Sequence, residues 1–274
     1  MAGTPGGKRL RALRHDYGQT QLAVELEANL GIGYLQRLET GKVQQPEQST
    51  LERILVALGA QYSERREVLE LFGYLVPTPI PSPSAVAWAM AACQAELDSA
   101  VFPAYLLDCA HRLLTWNALV PKLFDLPHIR QQTQTEAISM LKVVFDPAYH
   151  FSPQILNQEA FFLAQIRALR YEKQRFQEEV WYSELIRDMR QCPNFENYWT
   201  KSPSSPTLFA ARPLTLLKLT AKETGILQFR LLSEPFVQDR RFRIIYYLPA
   251  DAGTIQQCWL WAEAAATIAP STPT

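Results

Sequence analysis

The chain has 274 residues, enough for one large or two ordinary domains, and 47% of them are apolar, so a sizeable core can be buried. Its 27 basic and 27 acidic side chains cancel, which excludes a polycationic nucleic-acid coat but leaves room for a local basic surface. Cys93, Cys109, Cys192 and Cys258 lie far apart with no CxxC pair, which argues against a disulfide framework or zinc site and for free thiols in a reducing cytoplasm. The opening residues lack the apolar core of a signal peptide, and no apolar run approaches the ~18 residues of a membrane span. A soluble, cytoplasmic protein is expected.

In chain order, residues 1–76 read as five short helices. Leu10, Leu13 and Tyr17 share one face, and Gly18 ends that helix as a C-terminal cap. Thr20 caps a second helix through Val24 to Ala28, and Asn29 suits a left-handed turn after it. Ile32, Leu35 and Leu38 line one face of a third helix that stops at Gly41. Ser49 and Glu52 have the spacing of a capping box ahead of the stripe Leu51, Ile54, Leu55 and Leu58. Ser63 starts a fifth helix, which carries Val68, Leu69 and Phe72. Such a bundle leaves little room for a catalytic cleft.

Four prolines at alternate positions then punctuate "VPTPIPSPS", and residues 77–84 read as a semi-rigid linker. Residues 85–265 mix helices and strands. A helix in "SAVAWAMAACQAEL" is followed by strands at Tyr105–Asp108 and Arg112–Trp116 around a turn at Cys109 and Ala110. A short helix in "ALVPKLF", a longer one over Asn157–Lys173 and another over Val180–Met189 come next, then a loop at "KSPSSP". Three strand signals follow in "LTLLKL", "ILQFRLL" and "FRIIYYL". A short helix around Trp259 and a disordered tail over residues 266–274 close the chain. This order predicts a second domain of α+β class with an antiparallel sheet.

The segment "GQTQLAVELEANLGIGYLQRLETGK" places helix, tight turn and second helix in succession. Gln21 opens its first helix, where an amide can bond phosphate or support a base contact. Ile32, Gly33, Gln36 and Arg37 surround the second helix's apolar face; Arg pairs bidentately with guanine, and Gln with adenine. Lys42 follows in the loop, within reach of a backbone phosphate. Lys8, Arg9, Arg11 and Arg14 cluster around the first helix and are candidate phosphate contacts.

This segment resembles the helix-turn-helix of Cro/C1-type (XRE) regulators, a lambda-repressor-like five-helix fold. Gly18, Thr20, Gln21, Ala28, Leu30, Tyr34, Leu35, Arg37, Leu38, Glu39 and Gly41 occupy matching places. Two departures stand out. Gly31 replaces the usual serine at the recognition helix's N-cap, and Gly33 removes a side chain that often reads a base. Close backbone approach at Gly33 and apolar contact from Ile32 are then expected. The resemblance implies double-stranded DNA as partner and a DNA-binding set of Arg9, Arg14, Thr20, Gln21, Gly31, Ile32, Gly33, Tyr34, Gln36, Arg37 and Lys42.

The rest of the chain resembles MmyB-like regulators, in which a PAS-like ligand-binding domain follows the helix-turn-helix. Pro103, Ala104, Tyr105, Leu114, Trp116 and Asn117 carry the match, with looser blocks at "FDPAYHF", "QIRALRYE" and "FENYWTKSPS". The family's His-Pro-x-x-Gly segment is replaced by "FAARPLTLL". The implied fold is an antiparallel sheet with helices over one face, around an interior that side chains fill or line. A lipophilic, fatty-acid-like effector is implied, bound without covalent attachment. Its candidate contacts are Trp116, Asn117, Phe145, His150, Phe162, Ile166, Arg170, Phe229 and Tyr246, with Arg167 as a further polar group. No residue commits the domain to haem or flavin. No phosphate loop, nucleophile elbow or metal-spaced cluster points to an enzyme. A homodimer that reads a partly palindromic site is the expected working unit. The rival reading is an antitoxin or docking adaptor whose second domain binds no ligand.

Overall fold

The computed structural model describes residues 3–124, 138–176, 178–202, 216–221 and 225–268, and the chain divides into two compact units, Met1–Pro77 and Thr78–Thr274.

In the first unit, helices α1 (Pro5–Asp16), α2 (Gln21–Glu27), α3 (Tyr34–Glu39), α4 (Gln48–Ala57) and α5 (Tyr62–Leu71) enclose Leu10, Leu13, Val24, Leu35, Leu38, Leu51, Ile54 and Leu55. Thr4 and Thr20 cap α1 and α2 through their side chains. Gly18 and Asn29 adopt the left-handed conformation at φ +63° and +51°. Three expectations change. Ile32 lies in the turn before α3 and is 81% exposed, so it does not share the core face of Leu35 and Leu38. Helix α4 begins at Gln48 after Glu47, so Ser49 and Glu52 do not form its cap. Helix α5 begins at Tyr62, one residue before Ser63; there the Glu64 carboxylate accepts the Gln61 N–H at 2.8 Å.

Gly6 and Gly7 pack the start of α1 tightly. A Cβ at Gly7 would strike the Leu38 carbonyl, and one at Gly6 would enter the Phe72 ring. The positive end of α1 therefore lies against carbonyls at the end of α3, as helix dipoles favour.

In the second unit, α6 (Pro83–Ser99) starts behind its Ser82 cap. Strands β1 (Ala104–Asp108), β2 (Leu113–Trp116), β3 (Leu216–Ala221), β4 (Gly225–Pro235) and β5 (Phe242–Pro249) form one antiparallel sheet in the order β2-β1-β5-β4-β3. Alternation along β5 sends Arg243, Ile245 and Tyr247 to one face and Phe242, Ile244 and Tyr246 to the other. The first face meets α7 (Met140–Phe145), α8 (Gln158–Phe176) and α10 (Pro193–Lys201) in the main core, to which α9 (Val180–Met189) and α11 (Ala252–Ile268) contribute Met189 and Cys258. The second face is covered by α6 through Ala89, Cys93 and Leu97. Helices thus cover both faces rather than one, which is why all five residues of β1 are buried.

Helices α7 and α10 went unread in the sequence, and α11 is much longer than a short turn around Trp259. Leu214 and Thr215 of "LTLLKL", most of "KSPSSP" and residues 269–274 lie outside the described residues.

Candidate DNA-reading surface and ligand cavity

Helix α3 has only six residues, too few to hold itself together in water. Its neighbours hold it. The buried Glu25 carboxylate on α2 accepts the Gly33 N–H at 3.0 Å and the Leu35 N–H at 2.7 Å. Two of the helix's unpaired N-terminal donors are thereby satisfied. At the other end, Arg14 on α1 grips Glu39 bidentately, Nε–Oε1 at 2.7 Å and Nη2–Oε2 at 3.0 Å, while its Nη1 donates to the Gln19 carbonyl. Gln21 adds its amide N–H to Glu39 Oε2 at 2.8 Å.

Two predicted DNA contacts are corrected by this geometry. Arg14 is 7% exposed and all three of its guanidinium nitrogens have protein acceptors, so it staples α1 to α3 instead of meeting phosphate. The hydrogen bond to Glu39 holds its proton more tightly than usual, against the effect of burial. The Gln21 amide serves the same staple. The N-cap of α3 is Gly33 rather than Gly31, at φ +80°. A Cβ there would meet no neighbouring atom, so backbone conformation and not close approach explains this glycine.

Gly31, Ile32, Gln36, Arg37 and Lys42 are exposed on and beside α3, with Thr20 at the start of α2. Tyr34 is half-buried under the Arg37 guanidinium, 5.7 Å from ring centre. Lys8 and Arg11 are exposed on α1, while Arg9 is tied to Glu67 at 2.8 Å. Glu25 and Glu39 hold the surface in place; nothing in the sequence marked Glu25, and Glu39 stood out only through the family resemblance.

Between the sheet's inner face and helices α7 and α8 lies a cavity of about 230 Å³. Leu107, Leu231, Ile245 and Tyr247 line it from the sheet, Met140 and Val144 from α7, and Phe161 and Leu169 from α8. Two wider hollows, along α9–α10 and beside residues 155–160, are open surface grooves.

The cavity's polar end is one side-chain cluster. Glu172 on α8 pairs with Arg243 on β5 and with His111 Nε2 at 3.1 Å. Arg243 Nη2 lies 3.0 Å from the His111 ring nitrogens. Burial pushes the Glu172 carboxyl up, but Arg243 and His111 more than reverse this and hold it at about 2. Burial, then the Arg243 charge, push His111 below its ordinary value, so the ring is neutral near pH 7. A neutral ring that donates from Nε2 to Glu172 and accepts at Nδ1 from Arg243 satisfies both neighbours. Arg243 Nε is buried without a hydrogen-bond acceptor, an unusual state for a guanidinium N–H. At the apolar side, the hydroxyls of Tyr105 and Tyr247 lie 3.4 Å apart, and burial raises both, Tyr105 to about 12.

All of the predicted ligand contacts lie elsewhere. Asn117 is 1% exposed and ties the chain turn together: its Oδ1 accepts from Ala104 and Leu119 N–H, and its Nδ2 donates to the Phe102 carbonyl. Phe145, Phe162, Ile166 and Phe229 are fully buried core, with Phe145 stacked on Phe162 at 4.9 Å. Trp116 packs at the core's margin. Tyr246 faces α6 on the opposite side of the sheet and donates to Glu96. Arg170 lies over the Trp199 ring at 4.3 Å and donates to its carbonyl. His150 is exposed in a left-handed turn, and Arg167 is exposed on α8. None of these lines the cavity. His111, Glu172 and Arg243 do, and a signal for one of them was legible: Arg243 takes an inward place in the alternation of "FRIIYYL".

A helix-turn-helix surface on one unit and a walled cavity on the other define a DNA-binding regulator with a ligand-binding domain. The comparisons agree. Residues 90–257 match the model of the MmyB-like transcription regulator ligand binding domain, and residues 7–68 match a helix-turn-helix domain. The first match spans more than half of the chain, and the protein belongs to the MmyB-like transcription regulators. No curated protein matches it. Among the described residues, no helix is long and apolar enough to cross a membrane, and no group of His, Cys, Asp or Glu is placed to hold a metal.

Proposed function

We propose that the protein is a cytoplasmic, homodimeric and non-enzymatic regulator whose DNA binding responds to a small acidic amphiphile in the α8–sheet cavity. The observation that carries this reading is an apolar chamber ended by Arg243, with a buried Nε that lacks an acceptor. An acidic oxygen is the chemistry such a donor wants. Size narrows the class. At about 230 Å³ the cavity falls below the roughly 300–1,000 Å³ of pockets for drug-sized ligands. That favours a short-chain or compact acid over a long fatty acid. The outer side of α6 supports the dimer: Ala87, Trp88, Ala91, Ala92 and Ala95 are exposed and uncharged, and an exposed apolar helix face wants cover. Two copies would set their α3 helices about 34 Å apart, one turn of duplex.

The test starts with fragments that the full chain selects from a random DNA pool. Octanoate at saturation should change affinity for the selected DNA about tenfold, within the usual range of allosteric coupling. Unchanged affinity across butanoate to decanoate would overturn the proposed ligand class. Failure to select any sequence would overturn the DNA-reading assignment.

A further inference from the structure

Thr78, the first residue of the second unit, is 3% exposed although it sits among alternating prolines. Its backbone is held at both ends. Glu179 accepts its N–H, and the Trp181 indole donates to its carbonyl at 2.8 Å. Arg241, locked bidentately on Asp239, reaches the Pro79 carbonyl at 3.4 Å. A proline-rich segment that served only as a spacer needs no such grip.

The holders share their supports with the cavity. Arg241 lies two positions before Arg243, one just ahead of β5 and the other on it. Glu172 lies in the last turns of α8, and Glu179 and Trp181 lie where α9 begins. The material between is packed: Phe176, Tyr182 and Cys109 form one buried cluster with Trp181 against it, and the Tyr182 hydroxyl donates to the Leu169 carbonyl at 2.7 Å. Leu169 itself lines the cavity. The α8–α9 route thus carries Glu172 to the cavity cluster and Glu179 and Trp181 to the grip on Thr78, while the β5 route carries Arg243 to the cluster and Arg241 to Pro79.

We infer that the grip of Glu179, Trp181 and Arg241 on Thr78 and Pro79 is the output of the cavity, so that the state of the His111–Glu172–Arg243 cluster sets how firmly the chain leading to the DNA-binding unit is held. The inference rests on the cavity being the sensing site, but its test needs no ligand. The physical warrant for coupling is a response at one end to a change at the other.

Hydrogen exchange on the full chain supplies it. With prolines at 77, 79 and 81, the segment has few amides, and Thr78's is readable. Glu172→Gln should speed exchange at Thr78 about tenfold while amides of β4 and β5 keep their rates. Unchanged exchange at Thr78, or equal acceleration in the strands, would overturn the inference, since the second pattern means general loosening. Should Glu172→Gln fail to fold, Trp181→Phe tests the reverse direction. It removes one donor to Thr78 but keeps the ring. Coupling is reciprocal, so the His111 titration midpoint, followed by NMR, should move by about half a pH unit or more. A midpoint identical to the parent's would contradict the coupling, as would an equal shift at exposed His15 and His150.

Discussion

Each unit contains an arginine–glutamate pair that ties distant elements together, buried in the first unit and partly buried in the second, and the two pairs differ in what surrounds them. Arg14 and Glu39 sit in a packed interior, where every guanidinium nitrogen has an acceptor and Gln21 adds a further donor to the carboxylate. Arg243 and Glu172 sit at the edge of a cavity, with a neutral histidine as third member and one guanidinium nitrogen left without an acceptor. The first arrangement is complete and can only be broken. The second has capacity for another acceptor and for a proton, which is what a sensing site requires. A buried ion pair is weak grounds for stability by itself; its neighbours decide whether it is a staple or a receptor.

The largest test of that contrast is Glu39→Ala. It leaves Arg14 buried without its carboxylate and should cost the first unit about 3–5 kcal/mol, enough to unfold a helical domain of this size. Calorimetry of the full chain should show the first unit's transition lost and the second's unmoved. Glu25→Ala should cost less, about 1–3 kcal/mol for two orphaned N–H donors. Circular dichroism should show a weakened but present transition, together with a loss of DNA affinity, because α3 is no longer held at its start.

Acid separates the two pairs more gently. His111 is held below its ordinary 6.5, so below that pH the unfolded chain takes up the proton that the folded one resists, and stability falls as pH drops. Glu172 is held at about 2 against an ordinary 4.5; its stabilisation is complete above 4.5 and is lost as pH falls through 2. Arg14 is shifted further upward from an already basic value, so it adds no such loss. Between about pH 7.5 and about pH 5, the second unit's melting temperature should therefore fall, and His111→Gln should flatten that fall. The smallest expected effect is electrostatic. The double change Lys8→Gln and Arg11→Gln should leave both transitions in place and reduce the salt slope of DNA binding by about 2, one for each lost phosphate contact. An unchanged slope would remove α1 from the DNA interface.

The same contrast explains what the sequence disclosed. The helices of the first unit were legible because period and punctuation agree: Leu10 with Leu13, Thr20 as cap, and Asn29 and Gly18 at positive φ. The exposed side of α3 was legible in outline through Gln36, Arg37 and Lys42. Its staple was not, because Arg14 on its own reads as another surface cation and its partner lies 25 residues away. Distance hid the cavity more thoroughly. His111, Glu172 and Arg243 are separated by 61 and 71 residues, and they meet only through the pairing of β1 with β5 and the packing of α8 on the sheet. Large rings at Phe145, Phe162 and Phe229 suggest a pocket wall, yet Phe145 stacks on Phe162, Phe229 meets Tyr247 edge-on, and all three fill the core. Asn117 shows the same limit: a polar group in an apolar setting is as well used by a backbone turn as by a ligand.

The most direct test of the account is native mass spectrometry of gently purified full-length chain, with denaturing extraction, beside the Leu231→Trp variant that fills the cavity's wall. The account predicts a dimer that carries one small acidic amphiphile per chain, lost from the variant while the dimer persists. An adduct retained by Leu231→Trp, or a parent chain that takes up no short-chain acid even when incubated with one, would contradict it.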